Sequence, residues 1–350
     1  MKKQNYLFLL LLSLAVHTQA HAAQMNVEVK EKEEKQLSVQ EQVAATKMFD
    51  IVQSKTTSDI QQHELQTLLQ RYPQIVNEKN DHGLTRYRGC TALMIAAWNG
   101  NAEIVQMLVD AGAQLNVQNN YGRTALFLAA HNGKVEIVKL LIAAGAEIAE
   151  KEDAQTALMI VAYNGNAEII KLLIAAGAQL DVKDSKGRTA LMHAVDQGRA
   201  EVVQLLIDAG AQINVKNNES DTALTLAVKN YVPAKVIQSL IAAGAKLDEQ
   251  DDHGYTPLMR AAYNGNAEAV QLLIAADADK SIRNRKNQTA LDLANLREWG
   301  AGNRGAKNDW GMHYQAAVKA GEEERRKAVQ AKVEQHMIPD LAKIVTSYNP

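Results

Sequence analysis

Residues suited to binding recur at one position along the chain, two residues before the glycine of each Asn-Gly turn or its equivalent. Four of these six carry an aromatic or imidazole ring, although aromatic residues make up only 5% of the chain. Tyrosine and tryptophan offer a large rigid surface with a polar edge, which suits the centre of a protein interface. The six residues are Trp98, His131, Tyr163, Asp196, Lys229 and Tyr263. We expect them to form one row that contacts a partner protein; the alternative is that the rings shield the ends of neighbouring helices.

The sequence does not support catalysis or a bound cofactor. No Cys/His cluster has metal-ligand spacing, and neither H-E-x-x-H nor G-x-S-x-G occurs. Gly300 to Gly305 matches GxGxxG, but a phosphate cradle needs that motif between a strand and a helix, and no strand is predicted before it. We therefore expect a protein that is not an enzyme, with no metal and no cofactor. The net charge of −2 likewise provides no basic field for nucleic acid.

The row must be positioned by a repeating unit of about 33 residues. A fixed period in this range indicates a solenoid, in which each unit buries its apolar face against its neighbours. Each unit begins at a threonine, and these are Thr91, Thr124, Thr156, Thr189, Thr222, Thr256 and Thr289. The spacing predicts a pair of helices and a projecting finger in each unit.

The unit from Thr156 to Ala178 shows how the pair should form. Thr156 is expected to cap a first helix, Asn164-Gly165 to break it, and Asn166 to cap the second. Gly177 should end the second helix in a left-handed conformation. The same role is expected of Gly112, Gly145, Gly210 and Gly244, whereas Asp277 replaces the glycine in the last full unit. In the unit at Thr222, Pro233 is expected in the first turn of the second helix.

The segment from Thr256 to Asp279, TPLMRAAYNGNAEAVQLLIAADAD, resembles the ankyrin repeat, whose pattern is close to TPLHxAAxxGHxEIVKLLLxxGADVN. Similarity of this kind covers about Thr91 to Ala294. It implies an all-α ankyrin-repeat solenoid that recognises a protein partner on its concave face. An apolar residue stands where the family usually has the histidine of TPLH, so apolar packing should replace that histidine's hydrogen bonds. These residues are Met94, Phe127, Met159, Met192 and Met259.

Finger residues are expected to add polar specificity. Arg86, Tyr87 and Arg88 lie in an insertion before Thr91, which should make that finger longer and positively charged, although a tolerated loop insertion is the alternative. The contact residues expected in the other fingers are Tyr121, Arg123, Lys186, Arg188, His253, Tyr255, Arg285 and Lys286. Several are cationic and none is acidic, so we expect the partner to carry an acidic patch. We expect the protein itself to be monomeric.

The flanking segments predict export. Residues 1–22 read as a secretory signal, with Lys2 and Lys3 followed by an apolar stretch and a small-x-small site. Because that stretch is short, we expect no stable membrane anchor after cleavage. Residues 23–40 are predicted as a charged linker, 41–90 as a helical cap with a degenerate first repeat, and 91–300 as the array. Residues 301–350 should form a C-terminal loop and helical cap.

Two settings follow from the resemblance. Some exported bacterial ankyrin proteins support envelope enzymes, and the predicted cleavable signal favours a periplasmic assembly or stability factor of this kind. The alternative is a secreted effector that binds host proteins, because a short helix expected to open at Ile338-Pro339 weakly resembles an F-box-like helix.

The single Cys90 excludes an internal disulfide, so it is expected to be a small buried residue, with pairing between chains as the alternative.

Overall fold

A computed structural model describes residues 39–54, 58–80, 87–148, 156–296 and 310–347, with side chains of the last helix described as far as Lys332. The predicted signal, the linker up to residue 38 and the GxGxxG segment lie outside the described residues. The chain divides into two compact units, Met1–Leu128 and Ala129–Pro350. Most of the described residues are helical, and the two strands among them have only two residues each, which confirms the predicted all-α class.

The first unit contains four helices, a 3₁₀ turn and a short strand pair among its described residues. Lys79 pairs with Thr91 and Asn80 with Cys90, so the two strands are antiparallel and close the inserted finger at its base. The elements are α1 (residues 39–53), α2 (Asp59–Arg71), the 3₁₀ turn Pro73–Asn77, β1 (Lys79–Asn80), β2 (Cys90–Thr91), α3 (Ala92–Asn99) and α4 (Ala102–Asp110). Helix α5 (Ala125–His131) crosses the boundary between the units.

The second unit is a two-layer stack of helix pairs. We call the first helix of each pair the inner helix and the second the outer helix. Successive inner helices pack on one another, and so do successive outer helices. The inner helices are α7 (Ala157–Asn164), α9 (Ala190–Asp196), α11 (Ala223–Lys229), α13 (Pro257–Asn264) and α15 (Ala290–Leu296). The outer helices are α6 (Val135–Ala143), α8 (Ala167–Ala175), α10 (Ala200–Asp208), α12 (Ala234–Ala242) and α14 (Ala267–Ala275), followed by a long final helix, α16 (Trp310–Ser347).

The predicted helix boundaries are confirmed in the unit that begins at Thr156. The Thr156 hydroxyl accepts a hydrogen bond from the Met159 amide at 3.1 Å, and the Asn166 side chain accepts one from Ile169 at 3.1 Å. Gly165 and Gly177 have φ of 89° and 87°, a left-handed conformation that glycine adopts without strain. Pro233 differs slightly from its prediction, since it is the N-cap of α12 and not a residue of its first turn.

Apolar packing between repeats is also confirmed. Met94, Met159, Met192 and Met259 are each 1% exposed, and Phe127 is 4% exposed. In the outer helices the burial is narrower than the apolar pattern: Ile169 and Ile170 are fully buried, whereas Leu172 is only half-buried. The core therefore lies between successive pairs of helices, and in α7 only the last two residues, Tyr163 and Asn164, are exposed.

Helix α16 packs along α14 at the C-terminal end of the second unit. Trp310 donates its indole N–H to the Ala262 carbonyl at 2.7 Å, and a Cβ at Gly321 would lie only 2.5 Å from the Gln271 carbonyl oxygen. The expectation of a separate short helix opening at Ile338 is wrong, because α16 is continuous from Trp310 through Pro339. The preceding run of Ala, Glu, Lys, Arg and Gln consists of strong helix formers, which explains the single helix.

Candidate functional site

Five of the six row residues lie in the second unit, at or near the ends of its inner helices. Tyr163 and Tyr263 are 41% and 51% exposed, whereas His131, Asp196 and Lys229 are half-buried. We call the surface formed by these five residues and the fingers of the second unit the finger-side surface. It therefore presents two exposed tyrosines, and between them in chain order lies a charged centre that contains Asp196 and Lys229.

Hydrogen bonds between repeats fix the ends of the inner helices. The Asn164 amide donates to the His131 carbonyl at 3.0 Å, and Arg199 Nε donates to the Tyr163 carbonyl at 3.2 Å. A Cβ at Gly165 would lie 2.8 Å from Cδ of Arg199, so the arginine stem packs directly over this turn. These contacts satisfy carbonyls that helix ends leave without a partner, and they hold Tyr163 on a rigid frame.

The charged centre begins with a carboxylate at the base of a finger. Asp184 Oδ1 accepts the backbone N–H groups of Lys186 and Arg188, each at 2.9 Å, while Oδ2 accepts from His193 Nε2 at 3.0 Å. Arg188 reaches both Asp184 and Asp196, at 3.3 Å and 3.4 Å. The finger is therefore tied to helix α9 by charged hydrogen bonds.

The ionisation of this cluster follows from its burial. Burial favours the neutral form of Asp184, but the backbone bonds from Arg188 and Lys186, together with the hydrogen bond from His193, outweigh it and lower the pKa of that carboxyl. Burial lowers the pKa of His193, and the nearby Arg188 charge lowers it further against the opposing pull of Asp184. His193, only 2% exposed, also contacts the Tyr163 ring edge-on at 6.5 Å.

Lys229 does not present a free charge to solvent. Its Nζ lies 2.5 Å from Oδ2 of Asp221, whose side chain is 0% exposed, and 3.4 Å from Glu219. Burial raises the pKa of the Asp221 carboxyl, and Lys229 partly opposes that rise. The lysine at this row position therefore neutralises a buried acid of its own finger.

The other exposed tyrosine belongs to an aromatic and cationic cluster. Tyr263 meets Tyr255 edge-on with ring centroids 6.3 Å apart, and the Arg260 guanidinium lies 4.4 Å from the Tyr255 ring centroid. Arg260 Nε donates to Asp251 Oδ2 at 2.7 Å, and Asp251 Oδ1 accepts the Tyr255 amide at 3.0 Å. Tyr255 is thus held between a stacked cation and its neighbour's ring.

The predicted contacts of the first unit divide into exposed and buried residues. Tyr121 is 68% exposed with the Arg123 guanidinium 5.8 Å from its ring, Arg88 is exposed, and Trp98 is half-buried. Tyr87 was wrongly predicted as a projecting contact: it is only 4% exposed, and its hydroxyl lies 3.3 Å from Asn99 Oδ1. Pairing of β1 with β2 draws this end of the insertion against α3.

Arg86 lies outside the described residues. Cys90 is buried as predicted, 3% exposed, with Asn119 Nδ2 at 3.4 Å from its sulfur. Burial raises the pKa of the Cys90 thiol, which keeps it in the neutral form.

Two features of the site were not predicted. An Asn or Asp begins each described finger and accepts the amides two and four residues later, and its recurrence every 33 or 34 residues in the second unit was the available signal. These residues are Asn119, Asp184, Asn217, Asp251 and Asn284. The second feature is Tyr231, 56% exposed, which takes the place of a turn glycine at φ 53° and donates its hydroxyl to the Asn264 carbonyl.

Among the described residues, no group of three or more acidic, histidine or cysteine side chains is arranged to hold a metal ion. No described helix combines the length and apolar character needed to cross a bilayer.

The capped helix pairs, the fingers and the 33-residue period define an ankyrin-repeat protein. The family model for ankyrin repeats in three copies matches residues 61–152 and 148–217, and the model for ankyrin repeats in many copies matches residues 240–294. Together these matches cover more than half of the chain. The chain belongs to the ankyrin repeat family, whose members generally mediate protein–protein interaction and are typically non-enzymatic.

Solved structures agree with this assignment. The ankyrin repeat domain of Bcl-3, described as a unique member of the IkappaB protein family, is 31% identical, with a TM-score of 0.55 over 59% of this chain and 94% of that one. The ankyrin repeat domain of human ASB11 is 23% identical, with a TM-score of 0.55 over 64% of this chain and 96% of that one. The second comparison supports the fold alone.

Curated relatives match only a short stretch. The NAD-capped RNA hydrolases NUDT12 of Homo sapiens and Macaca fascicularis are 51% identical to this chain over 43 residues. That stretch is 12% of this chain and 9% of each relative, so the chain spans less than a tenth of their length. The hydrolase activity in their name is not transferred to this chain by so short a match.

Proposed function

We propose that this protein is a non-enzymatic scaffold that binds a partner protein on its finger-side surface. The observation that carries the proposal is the exposure of Tyr163 and Tyr263 at equivalent positions of two inner helices. Exposed tyrosines on a rigid frame bury a large area on binding and lose little side-chain entropy, because each has only two rotatable side-chain bonds.

A preformed surface supports this proposal energetically. The Asn164 and Arg199 bonds to neighbouring carbonyls fix the backbone around Tyr163, and the His193 ring meets its side chain edge-on. The ring of Tyr263 packs on Tyr255, which Arg260 holds in turn. Ordering a mobile side chain at an interface costs about 0.5–1.5 kcal/mol, and preorganisation removes part of that cost. The predicted contact residues Arg188, Asp196 and Lys229 contribute mainly by keeping the fingers in position.

The proposed setting is outside the cytoplasm. The predicted secretory signal at residues 1–22 supports export, and a periplasmic assembly or stability factor acting as a monomer is the proposed role. Fractionation of cells that express the full chain tests this: the protein should appear in the periplasmic fraction with its amino terminus near residue 23. Retention of the uncleaved chain in the cytoplasm would contradict the proposed export.

Affinity capture tests the binding role. Wild-type protein and the Tyr163→Ala/Tyr263→Ala variant should be used as baits for envelope extract, with bound proteins identified by mass spectrometry. The matched control is Ile60→Ala/Val329→Ala, which removes two exposed apolar side chains from α2 and α16. A partner retained by wild type and control but lost by the tyrosine variant is expected; equal capture by all three would contradict the assigned surface.

The alternative is a secreted effector that binds host proteins through its carboxyl-terminal segment. Deletion of Met337 to Pro350 separates it from the first proposal. A host protein captured by the full chain and lost on this deletion would favour the effector, whereas the proposed scaffold should keep its partner.

A further inference from the structure

The cations of the finger-side surface fall into two sets. One set is neutralised within the protein: Arg188 by Asp184 and Asp196, and Lys229 by Asp221. Arg260 belongs to the same set because Asp251 accepts its guanidinium hydrogen bonds. A charge already paired and half-buried contributes little to the attraction of a partner, so these three residues are not the source of electrostatic recognition.

The second set lies at the finger tips. The side chains of Lys186, Arg285 and Lys286 are exposed and make no hydrogen bond or ion pair with the described residues. Arg285 and Lys286 are adjacent in the last finger, where Asn284 Oδ1 accepts the Lys286 and Gln288 amides at 2.9 Å each. Two unpaired cations are therefore held side by side on an ordered turn.

This last finger lies against the tyrosine cluster of the preceding repeat. A Cβ at Gly254 would lie 2.9 Å from the Arg285 amide nitrogen and 3.1 Å from its Cγ, so the arginine stem packs on the finger that ends at Tyr255. Tyr255 in turn contacts Tyr263. We call the patch formed by Tyr255, Tyr263, Arg285 and Lys286 the tyrosine–arginine subsite.

The acids near this subsite are already engaged. Asp251 binds Arg260, Asp252 accepts the Ser220 hydroxyl at 2.5 Å, and Asp292 accepts the Thr289 hydroxyl at 2.8 Å and lies 3.9 Å from Arg283. Arg260, Arg283, Arg285 and Lys286 supply four positive charges here against the three negative charges of Asp251, Asp252 and Asp292, so the subsite combines an exposed ring with an excess of one positive charge. A guanidinium presents a planar set of donors that fits a carboxylate, and a tyrosine hydroxyl adds a further donor.

We infer that the tyrosine–arginine subsite receives an acidic segment of the partner protein, whose Asp or Glu carboxylates pair with Arg285 and Lys286. This inference rests on the proposed function, since it names the chemistry of the partner at one part of the same surface. Exposed charges of this kind act mainly on the rate of association, because they attract the partner before contact. The interaction should weaken as salt is added.

The test uses a fluorescein-labelled alternating glutamate–alanine peptide and the purified full-length protein at low ionic strength, with fluorescence anisotropy as the readout. The variant is Arg285→Ala/Lys286→Ala. The matched control is Lys235→Ala/Lys319→Ala, which removes the same charge from exposed positions on α12 and α16. We expect the first variant to bind about tenfold more weakly and the control to bind like wild type.

Three results would overturn the inference: no binding of the peptide to wild type, an equal loss in both variants, or equal binding of a lysine–alanine peptide. Displacement by inorganic phosphate at constant ionic strength would reassign the subsite to a phosphate ligand and also overturn it. The partner found by affinity capture separates this failure from that of the proposed function. If the tyrosine variant loses that partner and Arg285→Ala/Lys286→Ala keeps it, only the acidic-segment inference fails.

Discussion

Gly177 and Gly187 share a left-handed backbone but differ in the space that is available for a Cβ atom. Gly177 has φ 87°, and no heavy atom lies within 4 Å of the position that a Cβ would take. Gly187 has φ 73°, but its Cβ would lie 2.4 Å from Oδ1 and 2.9 Å from the backbone nitrogen of Asn218 in the next finger. Alanine at Gly177 therefore tests backbone strain alone, and alanine at Gly187 tests strain together with the packing of adjacent fingers.

The magnitudes follow from these contacts. A left-handed non-glycine residue costs about 1–2 kcal/mol, which is the whole effect expected for Gly177→Ala. At Gly187 the fingers must also separate, which threatens the bonds from the Asn218 amide to Lys186 at 3.0 Å and from its side chain to Ser185 at 3.1 Å. At about 0.5–1.5 kcal/mol for each hydrogen bond, Gly187→Ala should cost about 2–5 kcal/mol in total.

Urea unfolding followed by far-ultraviolet circular dichroism measures both variants. Thermal midpoints should fall in the same order, by about 2–4 °C for each kcal/mol. Amide exchange adds a local readout, because in a repeat protein the damage should concentrate in the finger at residues 184–188 and its neighbour. Equal destabilisation by the two substitutions, or none at Gly187, would refute the stacked-finger geometry.

Three further predictions concern charged groups. Lys229→Ala should destabilise the fold by about 3–5 kcal/mol at neutral pH in urea unfolding, because it leaves the buried Asp221 carboxylate without its cation. The pKa of Asp221 is raised, so the folded state takes up a proton as the pH falls, and the loss of stability relative to wild type should then shrink. The buried His193 has a lowered pKa, so its neutral form stabilises the fold at neutral pH, and that contribution should be lost as the pH falls below 6.5; His193→Gln should flatten this part of the stability profile, and an unchanged profile would contradict it. Asp277→Ala should speed amide exchange in the Arg325 region of α16, because both oxygens of Asp277 bind Arg325 at 2.6 Å; unchanged exchange would show that the pair does not hold the helix.

The fold could be predicted because its signals are local and repeated. Thr156 caps the helix that follows it, and Gly165 ends that helix because only a left-handed residue fits the turn. Each decision depends on a few neighbouring residues, and the 33-residue period repeats it along the chain. The buried methionines follow directly, since a periodic apolar position in a stack has neighbours on both sides.

The charge pairing and the burial of each site residue could not be predicted in the same way. Lys229 and Asp196 occupy the same repeat position as Tyr163, yet their charges are paired with finger residues eight positions earlier in the chain, at Asp221 and Arg188. Such pairing depends on the angle between finger and helix, which periodicity does not specify. Tyr87 was misjudged for a related reason: a two-residue strand pair, invisible in the apolar pattern, buries it against the first unit.

The most direct test of the central claim is the affinity of the captured partner, measured by titration calorimetry for three proteins. They are the wild type, Tyr163→Ala/Tyr263→Ala, and the control Ile60→Ala/Val329→Ala, each first shown to have the wild-type unfolding midpoint. Loss of an exposed interface tyrosine at a hot spot costs about 2 kcal/mol or more, so the tyrosine variant should bind at least about 30-fold more weakly while the control is unchanged. Equal affinity of all three proteins would contradict recognition by the finger-side surface.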